Sequence, residues 1–357
     1  MQEAPYTLYL ICFGLSLGIS LFAVPQIIAM AGKKQLFDLP DNHRKLHTHT
    51  ATSNLGGIAI FFAYIITTSI VVQPGMFDKW HYIVAASLLF FFTGMMDDLV
   101  ALSPLKKLVA QLVPALIITL LADIRIKYLP GIDADLPYAA SAGVTIFIYL
   151  FTINAYNLVD GIDMLAAAIG ILYTIILGLF LGLTGNTGAA CVAFGLAGAT
   201  AGFLRYNTTP ARIFMGDTGS LLLGFTISML CVLFIDSYDA TQGITGFVHS
   251  ADAAFLFCIS LLSVPLFDCI RVFFLRIRKG VSPFHADRRH AHHYLTDMAL
   301  PHPVATLVLV FANLLIMGIG YFVQDMPFLW GLGVIVLASA LLFGILYTLR
   351  KSRVGNV

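Results

Sequence analysis

The sequence predicts an all-α, polytopic integral membrane protein with about 11 transmembrane helices in a single domain, residues 1–357. Of its 357 residues, 59% are hydrophobic and only 11% are charged, and the mean hydropathy is +0.89. A soluble domain of this size carries roughly a quarter charged residues. The charged residues also divide the chain into apolar stretches of membrane-spanning length. These observations exclude a soluble globular enzyme, a disordered protein and a nucleic-acid binder with a basic face.

Eleven apolar segments are the predicted membrane-spanning helices. In chain order they are 6–31, 55–72, 81–96, 108–122, 138–154, 164–183, 188–204, 218–235, 253–275, 304–323 and 328–349. The first segment is too long for the core of a signal peptide, so we expect a retained span. A cluster of turn-type residues at 184–188 divides the uncharged stretch 164–204. Segment 108–122 is short and contains Pro114, so a broken or re-entrant helix is the alternative there.

The distribution of Lys and Arg predicts the orientation, because cytoplasmic loops are enriched in these residues. Seventeen of the 20 lie in one set of loops or at its helix ends, and only Lys79, Arg125 and Lys127 lie on the other side. The N-terminus is therefore expected outside and the C-terminus in the cytoplasm. The active site is expected on the cytoplasmic loops, which hold nearly every polar cluster. These loops are 32–54, 97–107, 154–163, 205–217 and 276–303.

Two neighbouring carboxylates, Asp97 and Asp98, follow the uncharged run 80–96. Adjacent acids at a membrane boundary suit a metal-linked or general-base pair, and a solvated helix end is the alternative. Lys106 and Lys107 follow about two turns later. They are either anchors in the headgroup region or contacts to phosphate.

A second motif, NAYNLVDGID, places Asn154, Asn157, Asp160 and Asp163 three residues apart. This spacing puts four oxygen-bearing side chains along one edge of a helix or tight turn. Such hard oxygen ligands suit Mg²⁺ or Mn²⁺. Gly161 permits a bend or a close approach of the backbone.

A third motif, GDTGS at 216–220, opens a long apolar helix. A helix N-terminus offers free N–H groups to an anion, and the glycines allow close approach. Asp217 as a simple N-cap is the alternative interpretation. Arg212, nearby in sequence, suits phosphate.

A fourth motif, HADRRHAHH, contains four histidines, two arginines and an aspartate within residues 285–293. A zinc site is one interpretation, because His290 and His293 are three residues apart. No Cys or Glu accompanies them, however, and the arginines favour a loop that binds phosphate or sugar. A solvated basic loop is the third interpretation. The first cytoplasmic loop, which includes Lys45, is by itself an ordinary basic loop.

Together these motifs bring ligands for a divalent cation and cationic groups for phosphates to one membrane face. That combination fits phosphoryl transfer with a lipid as one substrate. A proton-coupled secondary transporter is the rival from another class, but its acids would lie near the midplane within symmetric repeats, and no repeat is visible. A lipid-anchored scaffold would leave the polar motifs unexplained.

In this order, over roughly residues 38–295, the motifs resemble those of the polyprenyl-phosphate N-acetylhexosamine-1-phosphate transferases, glycosyltransferase family 4. The histidine-rich loop resembles the GlcNAc-1-phosphate branch. The resemblance implies transfer of GlcNAc 1-phosphate from UDP-GlcNAc to undecaprenyl phosphate, with Mg²⁺ or Mn²⁺, in the bacterial inner membrane. This reaction is the first membrane step of cell-surface polysaccharide synthesis. Another UDP-N-acetylhexosamine donor stays open, a homodimer is compatible with the resemblance, and no nucleic acid is expected.

The resemblance also implies roles for matching positions. Asp97 and Asp98 match the catalytic acidic pair, and Asn157 and Asp217 match metal-contacting positions. The nucleotide-binding positions are Gly161, Ile162, Asp163 and Phe214. The sugar and diphosphate positions are Lys45, Lys106, Asp160, His285, Asp287, Arg288, His290, His292 and His293.

The chain departs from the family pattern at three places. Met164 stands where the family usually has glycine. Ser53 and Asn54 replace a usual Pro-Arg pair. Apolar residues at 100–101 replace a third acid that is sometimes found after the acidic pair.

Overall fold

A computed structural model describes residues 5–36, 52–131, 135–241, 247–282 and 288–354, and no β-strand occurs in these ranges. The helices are α1 Pro5–Lys34, α2 Gly56–Val71, α3 Trp80–Leu99, α4 Pro104–Leu116, α5 Tyr138–Asn157, α6 Leu165–Leu183, α7 Thr187–Asn207, α8 Gly216–Thr241, α9 Ala251–Leu261, α10 Ser263–Arg278, α11 Ala291–Asp297, α12 His302–Phe322 and α13 Phe328–Val354. The predicted all-α, multi-pass class is confirmed. Each of the eleven predicted segments coincides with a helix or a pair of helices.

Within the described ranges, nine helices are long and apolar enough to cross a membrane. Of the other two predicted segments, α2 is an apolar helix of 16 residues, and 253–275 corresponds to the pair α9 and α10. Segment 108–122 is also irregular, since α4 continues beyond Pro114 into a π-helical turn, Ile117–Leu121. Pro114 has no N–H to donate to the carbonyl of Ala110, so the helix already lacks one bond in the turn before the π-helical segment.

Helix α8 forms the centre of the fold, and its apolar membrane-length segment is entirely buried. It packs mainly against α3 and α5, and α2, α6, α7 and α9 also contact it. Glycines allow its N-terminal turn to approach its neighbours closely: a Cβ at Gly57 would overlap the backbone of Gly219, and a Cβ at Gly94 would overlap that of Thr218. The peripheral helices α1 and α13 instead expose apolar side chains, as helices in contact with lipid do.

The predicted span 253–275 is broken, because α9 and α10 meet at an angle of 69°. Asn313 of α12 binds both sides of the break. Its amide donates to the carbonyl oxygen of Leu261 (2.9 Å), and its oxygen accepts from the backbone N–H of Val264 (3.3 Å) and from the hydroxyl of Tyr173 (2.8 Å). Backbone groups freed by a break at membrane depth need partners within the protein, and Asn313 supplies them.

Candidate active site

The carboxylate of Asp98 anchors the N-terminus of α8. Its Oδ1 accepts from the backbone N–H of Asp217 (2.7 Å), and its Oδ2 accepts from both the N–H (2.9 Å) and the hydroxyl (2.6 Å) of Thr218. The first N–H groups of a helix have no partner in the helix itself, and a carboxylate there also interacts favourably with the helix dipole. Gly216 has φ +69°, and a side chain on it would overlap Asn54 and crowd Asp98. Asp98 thus caps α8 from a different helix.

Asp97 points to a second place, a cluster centred on the ammonium group of Lys107. The Lys107 nitrogen is 3.0 Å from Asp97 Oδ2, bonds to Asp217 Oδ2 and lies 3.4 Å from Asn157 Oδ1. These residues come from the ends of α3, α4, α5 and α8. The side chains of Lys107 and Asp97 are mostly buried, at 15% and 12% exposure, so their charges interact more strongly than a pair in water would.

Asn157 is oriented by its own donors. Its amide donates to Asp217 Oδ1 and to the hydroxyl of Ser220, both at 2.7 Å, which leaves Oδ1 directed towards Lys107. One turn earlier, the amide of Asn154 donates to the buried Gln111 of α4 (2.7 Å). These bonds fix the end of α5 against both α4 and α8.

The donor set of this cluster suits a hard divalent cation. Asp97, Asn157 and Asp217 supply carboxylate and amide oxygens, and all three face one cation, the Lys107 ammonium. Mg²⁺ is usually held by one or two carboxylates, with waters and substrate phosphates completing its shell. No group of three or more His, Cys, Asp or Glu with metal-binding geometry occurs in the described part of the chain. Three oxygen donors on one side of a lysine are compatible with an open cation site, which leaves positions for water or substrate, unlike a closed structural metal site.

The predicted nucleotide-binding turn follows α5 directly. Asp163 is buried and lies 3.3 Å from the ring of His302, and its carboxylate accepts from the backbone N–H of Ala211 (3.4 Å). Ile162 is also buried. Gly161 is in such close contact with the ring of His292 that any side chain on it would overlap this ring. The turn therefore joins two other predicted segments, 205–217 and the histidine-rich loop.

Phe214 is held through its backbone. Its N–H donates to the carbonyl of Ser53 (2.8 Å), its carbonyl accepts from Gly56 (3.0 Å), and Gly57 donates to Met215 (2.9 Å). The segment before α2, where the chain departs from the family pattern, therefore positions the segment before α8.

His290 is bound within the protein. Its Nδ1 lies 2.8 Å from Asp268 Oδ2, in α10, and Asp268 also accepts from Arg271 (2.7 Å) and from the backbone N–H of Ala291. His290 and Asp268 are 5% and 6% exposed. Asp268 was missed by sequence reasoning, although an acid within a predicted span was a signal, because such residues are paired or functional.

The neighbouring histidines lie in an environment that keeps them neutral. Burial lowers the pKa of His292 well below its usual value. Burial, together with the charge of Arg288, lowers the pKa of His293 to about 4. Arg288 itself donates to Asp297 of α11 (2.9 Å). The neutral rings of His292, which lies beside Gly161, and of its neighbour His293 can donate or accept hydrogen bonds at neutral pH without adding positive charge.

Several predicted residues stand apart from the cluster. Lys106 is exposed, whereas its neighbour Lys107 occupies the centre of the site. Asp160 lies in the turn between Asn157 and Gly161. Lys45, His285 and Asp287 lie outside the described residues.

Fold and site together define a class: a multi-pass membrane protein in which helix ends assemble an oxygen-rich cluster around a lysine, beside a histidine-containing loop. Comparison with known proteins narrows this class. Residues 80–235 match the model of the family described as "Glycosyl transferase family 4". The matched segment runs from α3 into α8 and so contains the whole Lys107 cluster.

The similarity to individual proteins extends over most of the chain. An undecaprenyl-phosphate alpha-N-acetylglucosaminyl 1-phosphate transferase of Salmonella typhi is 29% identical over 355 residues, which cover 94% of this chain and 90% of that protein. A protein of the same name from Escherichia coli (strain K12) is 27% identical, covering 90% and 86%. A decaprenyl-phosphate N-acetylglucosaminephosphotransferase of Mycobacterium tuberculosis is 27% identical, covering 82% and 76%. The resemblance carried by the motifs is confirmed by these matches to the glycosyl transferase family 4 model and to polyprenyl-phosphate N-acetylglucosamine phosphotransferases.

Proposed function

We propose that the protein transfers GlcNAc 1-phosphate from UDP-GlcNAc to undecaprenyl phosphate, which gives GlcNAc-diphospho-undecaprenol and UMP. The observation that carries this proposal is the convergence of Asp97, Lys107, Asn157 and Asp217 from four helices. Two carboxylates, an amide and an ammonium group can hold a cation and phosphate groups together, as phosphoryl transfer requires. The names of the relatives supply the acceptor and the transferred group.

The proposed location is the cytoplasmic face of the bacterial inner membrane. The strong Lys/Arg bias supports it, because 17 of 20 basic residues belong to the side that carries the site. Both substrates are anions, so a basic face also favours their approach.

The proposed cofactor is Mg²⁺, or Mn²⁺, held by Asn157 and Asp217 with Asp97 as a third oxygen donor. When bound, it would offset the negative charge of the nucleotide diphosphate. Lys107 would then leave the two carboxylates and bind a phosphate oxygen of either substrate. The turn at 161–163 and Phe214 would hold the uridine, and the histidine-rich loop would close over the sugar and diphosphate.

We further propose direct attack of the lipid phosphate on the β-phosphorus, with UMP as the leaving group. A covalent aspartyl-phosphate is the alternative. Both oxygens of Asp98 already accept hydrogen bonds from the α8 terminus, so they are poorly placed to act as a nucleophile or a base. Trapping a ³²P-labelled enzyme in the wild type that disappears in Asp98→Asn would overturn direct attack.

The decisive experiment uses two adjacent lysines. Purified protein in nanodiscs containing undecaprenyl phosphate is assayed for UMP release from UDP-GlcNAc, with EDTA and then added Mg²⁺. Lys107→Met should lower kcat/KM by about 100-fold or more, the usual effect of losing one preorganised electrostatic contact. The exposed neighbour Lys106→Met should stay within about threefold, since phosphate contacts at a surface are screened. Equal losses in the two variants, or turnover that survives EDTA, would contradict the proposal.

The donor sugar is tested separately. The same assay is run with UDP-GlcNAc, UDP-GalNAc, UDP-diNAc-bacillosamine and UDP-FucNAc. The proposal expects UDP-GlcNAc to have the highest kcat/KM. A higher value for another donor would keep the transfer chemistry but replace the proposed substrate.

A further inference from the structure

A cavity with several basic lining residues lies apart from the Lys107 cluster, between α10, the segment around α11 and the C-terminal half of α13. Its volume is about 530 Å³. Five of its twelve lining side chains are basic and none is acidic: Arg271, Lys279, Arg289, Arg350 and Lys351. Four of these five have no role in the proposed transfer reaction, and the fifth, Arg289, belongs to the histidine-rich loop.

The positive charge of this cavity is only partly balanced. Arg271 donates to Asp268 (2.7 Å) and Arg350 donates to Asp297 (2.8 Å), so two carboxylates face two of the five basic groups. Lys279 has an exposed side chain with no ion pair among the described residues, and the same holds for Lys351. A cavity with surplus positive charge and no acidic lining favours an anionic ligand.

Aromatic rings hold two partly buried guanidinium groups in place. Arg271 lies over the rings of Tyr294 (5.0 Å) and Phe343 (5.2 Å), and Arg350 also lies over the Tyr294 ring, at 4.9 Å. The hydroxyl of Tyr294 also accepts from Arg271 (3.0 Å). Arginines fixed in this way lose little side-chain entropy when they bind a phosphate.

Both helices contribute basic residues to the cavity at their C-terminal ends. On α13 the lining changes from apolar at Ala340 to basic at Arg350 and Lys351, whereas on α10 apolar and basic residues alternate from Phe267 to Lys279. The neighbouring surface of α13 exposes an apolar residue every fourth position, which is the face that contacts hydrocarbon: Leu337, Leu341, Ile345 and Leu349. A ligand suited to both ends is an amphiphile with an apolar chain beside the helices and an anionic head at the helix ends.

We propose that this cavity binds the phosphodiester headgroup of an anionic membrane phospholipid. Basic pockets between transmembrane helices on the cytoplasmic side are typical sites for such headgroups. The lining contains no carboxylate or carboxamide side chain, so a lipid phosphate held here lacks the cation-binding oxygens of the Lys107 cluster. The bound lipid is therefore a structural ligand, distinct from the acceptor of the transfer reaction.

The bound headgroup would act on the active-site loop through α11. In this helix of seven residues, Tyr294 faces the cavity while His292 contacts Gly161 of the nucleotide-binding turn. Asp268 joins the two sides, because it binds Arg271 of the cavity and His290 of the loop. An anion beside Arg271 would stabilise this arrangement.

The test measures lipid binding and does not depend on turnover. The delipidated full-length protein in detergent is titrated with phosphatidylglycerol and with phosphatidylcholine, and bound lipid is counted by native mass spectrometry. The wild type should prefer phosphatidylglycerol. The double variant Lys279→Ala/Lys351→Ala should bind it about 25-fold more weakly, about fivefold for each basic residue. Lys33→Ala/Lys34→Ala, a pair of exposed lysines in the last turn of α1, is the matched control and should bind as the wild type does.

Further measurements separate loss of charge from loss of folding and distinguish a phospholipid from free phosphate or undecaprenyl phosphate as the ligand. Lys279→Arg/Lys351→Arg should retain the preference for phosphatidylglycerol, since the charge is kept. No preference in the wild type, or equal losses in the control pair, would overturn the proposal. Displacement of phosphatidylglycerol by inorganic phosphate at similar concentration would show a site for free phosphate instead, and displacement by stoichiometric undecaprenyl phosphate would show a second acceptor site.

Discussion

Asp98 holds the N-terminus of α8, and replacing it can show whether it acts through this anchoring or by reacting with the substrate. Replacement by asparagine keeps the shape of the side chain but exchanges one carboxylate oxygen for an NH₂ group. The hydroxyl of Thr218 can rotate and accept from this group, whereas the backbone N–H of Thr218, now 2.9 Å from an acceptor, would face a donor. Asp98→Asn therefore removes one charge-assisted bond and leaves one buried N–H unsatisfied.

The magnitude follows from these losses. A hydrogen bond to a charged group contributes about 1.5–3 kcal/mol, and a carboxylate at a helix N-terminus contributes about 0.3–1 kcal/mol more through the dipole. The free energy of unfolding should fall by about 3 kcal/mol. Activity should fall as well, because Asp217 is the first residue that Asp98 holds.

Denaturant unfolding in detergent micelles, followed by tryptophan fluorescence, measures this change. Asp236→Asn is the matched control: it removes an aspartate near the opposite end of α8 that pairs with Lys127 in a partly exposed ion pair (2.6 Å). Such pairs contribute about 0–1 kcal/mol. If Asp98→Asn unfolds within about 0.5 kcal/mol of the wild type while activity is abolished, Asp98 acts on the substrate and the anchoring argument is wrong.

Three further predictions concern residues around the site. Gly94→Ala should lower both stability and activity, because its Cβ would overlap the backbone of Thr218, whereas Gly143→Ala, whose Cβ has open space within a helix, should lower neither; equal melting temperatures would contradict this. Met164 has φ +71°, a conformation that costs a non-glycine residue about 1–2 kcal/mol. Met164→Gly should therefore have a higher melting temperature than Met164→Ala, whereas within helices alanine is usually the more stabilising of the two. The lowered pKa of His293 means that the unfolded state binds more protons below pH 6.5, so stability should be complete above pH 6.5 and decline towards pH 4. His293→Asn should weaken that decline, and unfolding at pH 7.5 and 5.0 measures it; an unchanged pH dependence would show that other groups cause it.

The bounds of the helices and the grouping of the polar motifs were predictable because both depend on composition over many residues. Charged residues end the apolar segments, so all eleven predicted segments coincide with helices or helix pairs. Asn157 and Asp217 were both expected to contact the metal, and the structure places the Asn157 amide 2.7 Å from the Asp217 carboxylate. Their ligand role stays a prediction.

Details that depend on helix phase or on distant partners were not predictable. Lys106 and Lys107 are adjacent on one helix, and only the packing of α4 decides which of them faces the cluster. The break between α9 and α10 depends on Asn313, which lies about fifty residues away in the chain. At Met164 the positive φ explains why glycine suits this position, and nothing in the structure explains the methionine.

Asp97 and Asp98 have two separate structural roles. Neighbouring residues on an α-helix point about 100° apart, so two carboxylates in sequence cannot readily share one ligand. Asp98 accordingly turns towards the N-terminus of α8, while Asp97 turns towards Lys107. If aspartate is required at both positions, the reasons differ. Asp98 fixes the helix that carries Asp217, and Asp97 completes the group of oxygens to which Asp217 belongs. The short side chain of aspartate suits position 98, because glutamate there would push α8 away from the close contact that Gly94 allows.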